Sequence, residues 1–172
     1  MADTKRLLDF FFEAALATYA GGGEKTTIAD LPGSKSYRHE RGPLLYVDTY
    51  FVNGNLSCGQ TLIWSENSPI WTMQYRGYCI DQKAIPTLKR ALSLAYRLKR
   101  FKGGRGETQG DYEVDGEYRY QNWTLHNEFE QFDGKEFIDR TGRLRHPNSA
   151  NSDHWVSRVF MHEYVGGLLS AT

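Results

Sequence analysis

The run Leu44-Leu45-Tyr46-Val47-Asp48-Thr49-Tyr50-Phe51-Val52, closed by Asn53-Gly54-Asn55, decides the architecture. Its β-branched and aromatic residues recur with a period of two, and Asn-Gly is a hairpin turn signal. Leu56 to Ser65 reads as the return strand, Glu66-Asn67-Ser68 as the next turn, and Pro69 to Ile80 as a third strand with Trp71, Met73 and Tyr75 on one face. These segments predict an antiparallel meander.

Upstream, Leu8, Phe11, Phe12, Ala15, Leu16 and Tyr19 recur at helical spacing, which predicts an amphipathic helix over Lys5 to Tyr19 stopped by Gly21-Gly22-Gly23. Its basic start and apolar body resemble a signal peptide, but Asp9 and Glu13 interrupt them. No uninterrupted apolar run reaches about 18 residues, so no transmembrane helix and no membrane partner are expected. Downstream, Ile85, Leu88, Leu92 and Ala95 mark a second helix over Ile85 to Arg100, with Pro86 in its first turn and Lys89, Arg90, Arg97 and Arg100 toward solvent.

Beyond it, Asp115-Gly116, Asp133-Gly134 and Thr141-Gly142 read as turns between further strands at Glu117 to His126, Glu128 to Phe132, Lys135 to Arg140 and Trp155 to Tyr164. Pro147 to Asp153 reads as an irregular loop. The order of elements gives the α+β class: a curved antiparallel sheet with two main helices. The chain of 172 residues is expected to form a single domain, 1–172. The expected core is Phe11, Leu16, Val47, Phe51, Ile63, Met73, Leu88, Leu92 and Phe160, each on the apolar side of its element.

Composition narrows the function classes without choosing one. Hydrophobic residues are 40% and charged residues 24%, ordinary for a globular chain, which excludes disordered and collagen-like structure. Lys plus Arg and Asp plus Glu are 21 each, so net charge gives no pull toward nucleic acid. The local pattern is sharper: Lys83, Lys89, Arg90, Arg97, Lys99, Arg100, Lys102 and Arg105 form an acid-free stretch, and an acidic stretch from Glu107 to Asp139 follows. The basic helix lacks a helix-turn-helix companion and interleaved aromatics, so a solvated face is favoured over a nucleic-acid contact. Cys58 and Cys79 lack the paired spacing of a zinc site. They read as reduced thiols of a cytoplasmic protein, with a single bridge or a functional thiol as alternatives. No metal and no cofactor is expected.

Aromatic residues are 14% of the chain, with 11 tyrosines whose hydroxyls need partners. Asp48 interrupts an apolar strand and shares a face with Tyr46 and Tyr50. Arg38 or Arg76 is an expected ion-pair partner, and Tyr75, Tyr118 and Tyr120 are expected to supply hydroxyls. The structural reading is a network that fixes the sheet. The functional reading is a tyrosine-rich concave site of Asp48, Tyr50, Trp71, Tyr75, Tyr118 and Tyr120, with Arg38, Arg76 or Arg105 at its margin, for a small polar ligand. Gly103-Gly104-Arg105-Gly106 has the composition of an anion nest but follows a helix C-terminus, so a linker or a flexible lip over a pocket is preferred. Asp48 and Glu136 are the candidate acid-base groups of an alternative enzyme. His39, His126, His146, His154 and His162 show no useful spacing, since His162 and Glu163 point to opposite faces of a strand.

The motifs Thr18-Tyr19-Ala20-Gly21-Gly22-Gly23, Tyr46-Val47-Asp48-Thr49-Tyr50-Phe51, Trp71-Thr72-Met73-Gln74-Tyr75-Arg76-Gly77, Asp115-Gly116-Glu117-Tyr118-Arg119-Tyr120-Gln121-Asn122, Phe132-Asp133-Gly134-Lys135-Glu136 and Tyr164-Val165-Gly166-Gly167 appear in the order of a known family. The chain resembles the bacterial and archaeal family of domain of unknown function 5680, found alone or C-terminal to helix-turn-helix regulators. It departs from that pattern between Arg143 and Asp153 and resembles the stand-alone form. The resemblance implies a sensing or binding domain and supplies no catalytic residue. The expected function is a non-enzymatic small-molecule or effector-binding module. The alternatives are a small enzyme acting on a polar or phosphorylated substrate, and a nucleic-acid or protein interaction through the basic helix.

Overall fold

In the computed structural model, which describes residues 4–108, 117–145 and 152–169, helix α1 (Thr4–Ala17) precedes four strands: β1 (Lys35–Arg41), β2 (Leu44–Asn53), β3 (Leu56–Ser65) and β4 (Ser68–Cys79). A single 3-10 turn at Gln82–Ala84 leads into helix α2 (Ile85–Arg97), and β5 (Tyr118–Glu128), β6 (Gln131–Arg145) and β7 (Ser152–Leu168) complete the chain. All seven strands form one antiparallel sheet in the order β1-β2-β3-β4-β7-β6-β5. The class is α+β.

One face of this sheet carries the helices. The buried residues of α1 are Leu7, Phe10, Phe11, Phe12, Ala14 and Ala15, so Phe11, Phe12 and Ala15 of the expected stripe face the core, while Leu8 and Leu16 are only partly buried. Helix α2 buries Leu88, Ala91, Leu92 and Ala95. Both meet Tyr46, Ile63, Trp71, Met73, Phe132, Ile138 and Phe160 from the sheet. Asp9 and Glu13 lie on the other side of α1, as expected, where Asp9 reaches Lys99 at 2.7 Å and Glu13 holds His39 at 2.9 Å and also Arg41.

Val47 and Phe51 are not in this core. The buried residues of β2 are Leu44, Tyr46 and Asp48, so the odd-numbered side chains point to the uncovered face. Both faces of β2 are apolar, and alternation alone does not say which one the helices cover. Strand β1, not anticipated, is an edge whose charged residues mask its period while α1 ties down His39 and Arg41. The expected turns Asp133-Gly134 and Thr141-Gly142 lie inside β6, and the hairpin instead turns at Phe129-Glu130. Gly134 serves close packing there, because a Cβ would stand 2.4 Å from the Tyr164 hydroxyl and 2.3 Å from the Trp123 carbonyl oxygen. The expected turn Asp115-Gly116 and residues 147–151 of the expected loop lie outside the described residues, and Ser152 and Asp153 belong to β7.

Leu92→Ala should destabilise the chain by about 2–5 kcal/mol through the cavity it opens. Val47→Ala, on the uncovered face, should cost less than about 1 kcal/mol. Urea unfolding of the two variants checks the order, and an inverted order would mean that the faces of the sheet are exchanged.

Candidate functional site

The expected aromatic and acidic residues share the helix-covered face but divide into separate contacts. Asp48 Oδ1 accepts hydrogen bonds from Tyr75 at 2.8 Å and Thr61 at 2.9 Å. Burial raises its pKa above the ordinary value, against those hydrogen bonds and the more distant Arg105. Neither expected arginine reaches it: Arg38 is exposed and pairs with Glu40, and Arg76 is exposed on the opposite face. The reason is pleat. On β1 the residue paired with Asp48 is Tyr37, so its neighbour Arg38 points the other way.

Tyr50 packs on the rings of Tyr19 and Tyr37. The Trp71 indole donates to the Phe129 carbonyl at 3.0 Å and stacks on Phe129 and Phe132. Tyr118 donates to Asp81 at 2.6 Å, and Tyr120 donates to Glu136 Oε2 at 2.7 Å. Trp71, Tyr75 and Tyr120 are buried, each in its own contacts, so the expected residues do not together form the wall of one concavity.

Arg105, expected at a margin, sits in the interior. The Gly103–Gly106 segment is buried against the sheet, held by Gly103 N–H to Asn127 at 2.8 Å, Gly106 N–H to the Tyr120 hydroxyl at 3.0 Å, and Asn122 Nδ2 to the carbonyls of Lys102 and Gly106 at 2.9 Å each. It is therefore neither a lip nor an open anion nest. Arg105 Nε donates to Glu136 Oε1 at 2.8 Å, Nη2 meets the same oxygen, and the guanidinium lies 5.2 Å from the Tyr75 ring. Burial alone would raise the Glu136 pKa. The Arg105 guanidinium, with His162, outweighs it and holds the carboxyl down at about 2. Glu136 is thus fixed as a carboxylate near neutral pH, poorly suited to proton transfer.

His162 is the buried neighbour that sequence spacing did not reveal. Its partners lie across the sheet, with Glu136 Oε1 3.4 Å from Nδ1 and Ser57 Oγ 2.9 Å from Nε2. Ser57 and His162 are 105 positions apart, and no local motif links them.

The uncovered face holds the large concavity. A cavity of about 1260 Å³ is lined by Val47, Phe51, Leu62, Trp64, Trp123 and Val165 among others, with Gln60, Gln74, Arg76, Lys135 and Glu163 as polar groups. Leu125, 78% exposed, and Trp123, 65% exposed, stand on its wall. Of the expected ligand residues, Arg76 and Tyr75 line this space. The sequence signal for it was the second apolar face of β2, carried by Val47 and Phe51. Both cysteines are free, Cys58 exposed and Cys79 buried. In the basic stretch, Lys99 pairs with Asp9, and Arg100 and Lys102 each lie 3.9 Å from Glu107. Among the described residues no helix is long and apolar enough to cross a membrane.

The family model described as Domain of unknown function (DUF5680) matches residues 48–147, more than half of the chain. No curated protein and no solved structure matches it.

Glu136→Gln should cost about 3–5 kcal/mol at pH 7, because it leaves a buried guanidinium uncompensated. Asp48→Asn, which keeps an acceptor oxygen for the Tyr75 and Thr61 hydroxyls, should cost less, about 1 kcal/mol or below. The folded Glu136 pKa lies below its ordinary 4.5, so its share of stability is complete above that value and is lost as pH falls toward 2. Urea unfolding at pH 7 and at an acid pH below 4.5 should show Glu136→Gln losing less stability on acidification than the wild type.

Proposed function

The chain belongs to the DUF5680 family, whose function is unknown, and from that premise we propose that it is a small-molecule or effector-binding module using the uncovered face of its sheet. The observation that carries this reading is the cavity of about 1260 Å³ on that face. It is somewhat larger than the usual ligand pocket of about 300–1,000 Å³, and apolar side chains dominate its wall. Leu31, Trp123, Leu125 and Val165 are large apolar side chains exposed around one concavity, a cluster of the kind that marks a binding site.

A curled sheet is part of the proposal. Its support is that one cavity is lined by Ile28 and Leu31, beside β1, and by Trp123 and Leu125 on β5, at the opposite ends of the strand order. The ligand chemistry that fits is an elongated molecule with an apolar body against Val47, Leu62 and Val165 and a polar end within reach of Gln74, Arg76 or Lys135. This differs from the small polar ligand that the tyrosines alone suggest, because their hydroxyls are largely engaged inside the protein. In the regulators that the family resemblance implies, such a pocket would act as the effector sensor. Two free thiols, one of them exposed, support a reducing, cytoplasmic setting.

Titration with anilinonaphthalene sulfonate and with dodecanoate, read by the fluorescence of Trp64 and Trp123, tests the proposal. Saturable binding is expected, weakened at least tenfold, or about 1.4 kcal/mol, by Val165→Asp. Absence of saturable binding, or binding indifferent to that substitution, would overturn it.

A further inference from the structure

A polar row crosses the helix-covered face, on the side of the sheet away from the cavity, and is independent of it. In the register, Val52 pairs with Ser57, Ser57 with Gly77, Gly77 with His162, and His162 with Glu136. Directly paired residues point to the same face, so these positions form one line across five strands. Gly77 is what lets the line close. A Cβ there would stand 1.8 Å from the Met161 carbonyl oxygen and 2.7 Å from His162 Cδ2, so the imidazole leans over β4 through space that any side chain would fill.

The result is an ordered set of three groups. Ser57 Oγ is 2.9 Å from His162 Nε2, and His162 Nδ1 is 3.4 Å from Glu136 Oε1 with no hydrogen-bond partner of ordinary geometry. An Nδ1 proton facing the carboxylate leaves the Nε2 lone pair to accept from the serine hydroxyl. Arg105 and Tyr120 hold Glu136 from its other sides, so the carboxylate is fixed before any reaction. Exposure rises along the row: Glu136 is 0% exposed, His162 is 7%, Ser57 is half-buried and Val52 is 44% exposed. The hydroxyl therefore stands at the solvent end and the carboxylate at the dry end.

We propose that Ser57, His162 and Glu136 form a nucleophile, general base and orienting carboxylate that take the acyl group of a neutral ester onto Ser57. The order of roles is that of the serine-histidine-acid template, which is recognised by geometry and not by chain position. Burial lowers the His162 pKa, and Arg105 lowers it further against the raising effect of Glu136, so the imidazole is neutral and able to accept a proton at pH 7. The spacing of 3.4 Å is looser than a working contact, as is common before substrate binds. A neutral ester is favoured because the row's cation is already committed to Glu136, while Val52 and Tyr50, on the same face, offer apolar contact to an acyl chain.

In the first step Ser57 Oγ bonds to the acyl carbon and its proton passes to His162 Nε2. The ester C–O bond breaks, and the alcohol leaves with that proton. Water then attacks the acyl-serine, again giving a proton to Nε2. The serine C–O bond breaks, the carboxylic acid departs, and the proton returns to Ser57. Ester and water become acid and alcohol, and the Nδ1 proton stays in place throughout.

The test is reaction of the full chain with a fluorophosphonate, which phosphonylates an activated serine with loss of fluoride, followed by peptide mass spectrometry. A single adduct on Ser57 is expected, absent in Ser57→Ala and formed about 100-fold more slowly in His162→Gln. Hydrolysis of p-nitrophenyl acetate should follow the same variants and fall as pH drops below 6.5 through the lowered His162 pKa. Folded wild-type protein that gains no Ser57 adduct, or an adduct rate that His162→Gln leaves unchanged in folded protein, would overturn the proposal.

Discussion

The ion pair of Arg105 with Glu136 is the constraint on which the rest of this structure depends. Two charges removed from water cost several kcal/mol each unless they meet one another with the remaining polar atoms satisfied. Here that requirement reaches far along the chain. Glu136 is carried by the middle of β6, so the segment after α2 must descend onto the sheet to deliver Arg105. That descent places Gly103 to Gly106 against Asn122, Asn127 and Tyr120, which satisfy its backbone. The same carboxylate stands beside His162, and the same guanidinium lies over Tyr75, the donor to Asp48. Two polar groups that looked unrelated in sequence, an acidic strand residue and a glycine-rich loop, are one network.

The sheet is used on both sides, and the sides differ in character. Under the helices, aromatic and aliphatic packing encloses a polar band that runs from Tyr120 through Glu136 and His162 toward Ser57. On the other side, apolar residues that a one-sided sheet would replace with polar ones remain uncovered around the cavity. A one-sided sheet alternates cleanly, whereas β2 carries Leu45, Val47 and Phe51 outward and Leu44, Tyr46 and Tyr50 inward. The departure from clean alternation is the structural basis for the proposed binding face.

Sequence made the two helices, the β2-β3-β4 meander, the shared face of Trp71, Met73 and Tyr75 and the burial of Met73 legible, because each keeps its period over several residues and each hairpin has a recognisable turn. It did not reveal β1, whose charges answer to Glu13 of α1. It misplaced a turn at Asp133-Gly134, because a glycine that admits the Tyr164 ring looks the same as a glycine that reverses the chain. Among the candidate site residues, Asp48 and Tyr75 were correctly set on one face, and Glu136 was singled out as an acid. Their partners were not legible. The Glu136 contacts depend on a register between β6 and β7 and on a loop descent that no local spacing encodes. The cavity was hidden for a related reason, since its walls come from the segment before β1 and from β5, far apart in the chain.

A double-mutant cycle across the ion pair tests this account most directly. Arg105→Met, Glu136→Leu and the combined variant would be compared by urea unfolding at pH 7. Each single change should cost about 3–5 kcal/mol, because it strands the other charge in the interior, and the combined change should cost less than either. Single costs that simply add in the double variant would contradict the claim that this pair organises the fold and the polar row.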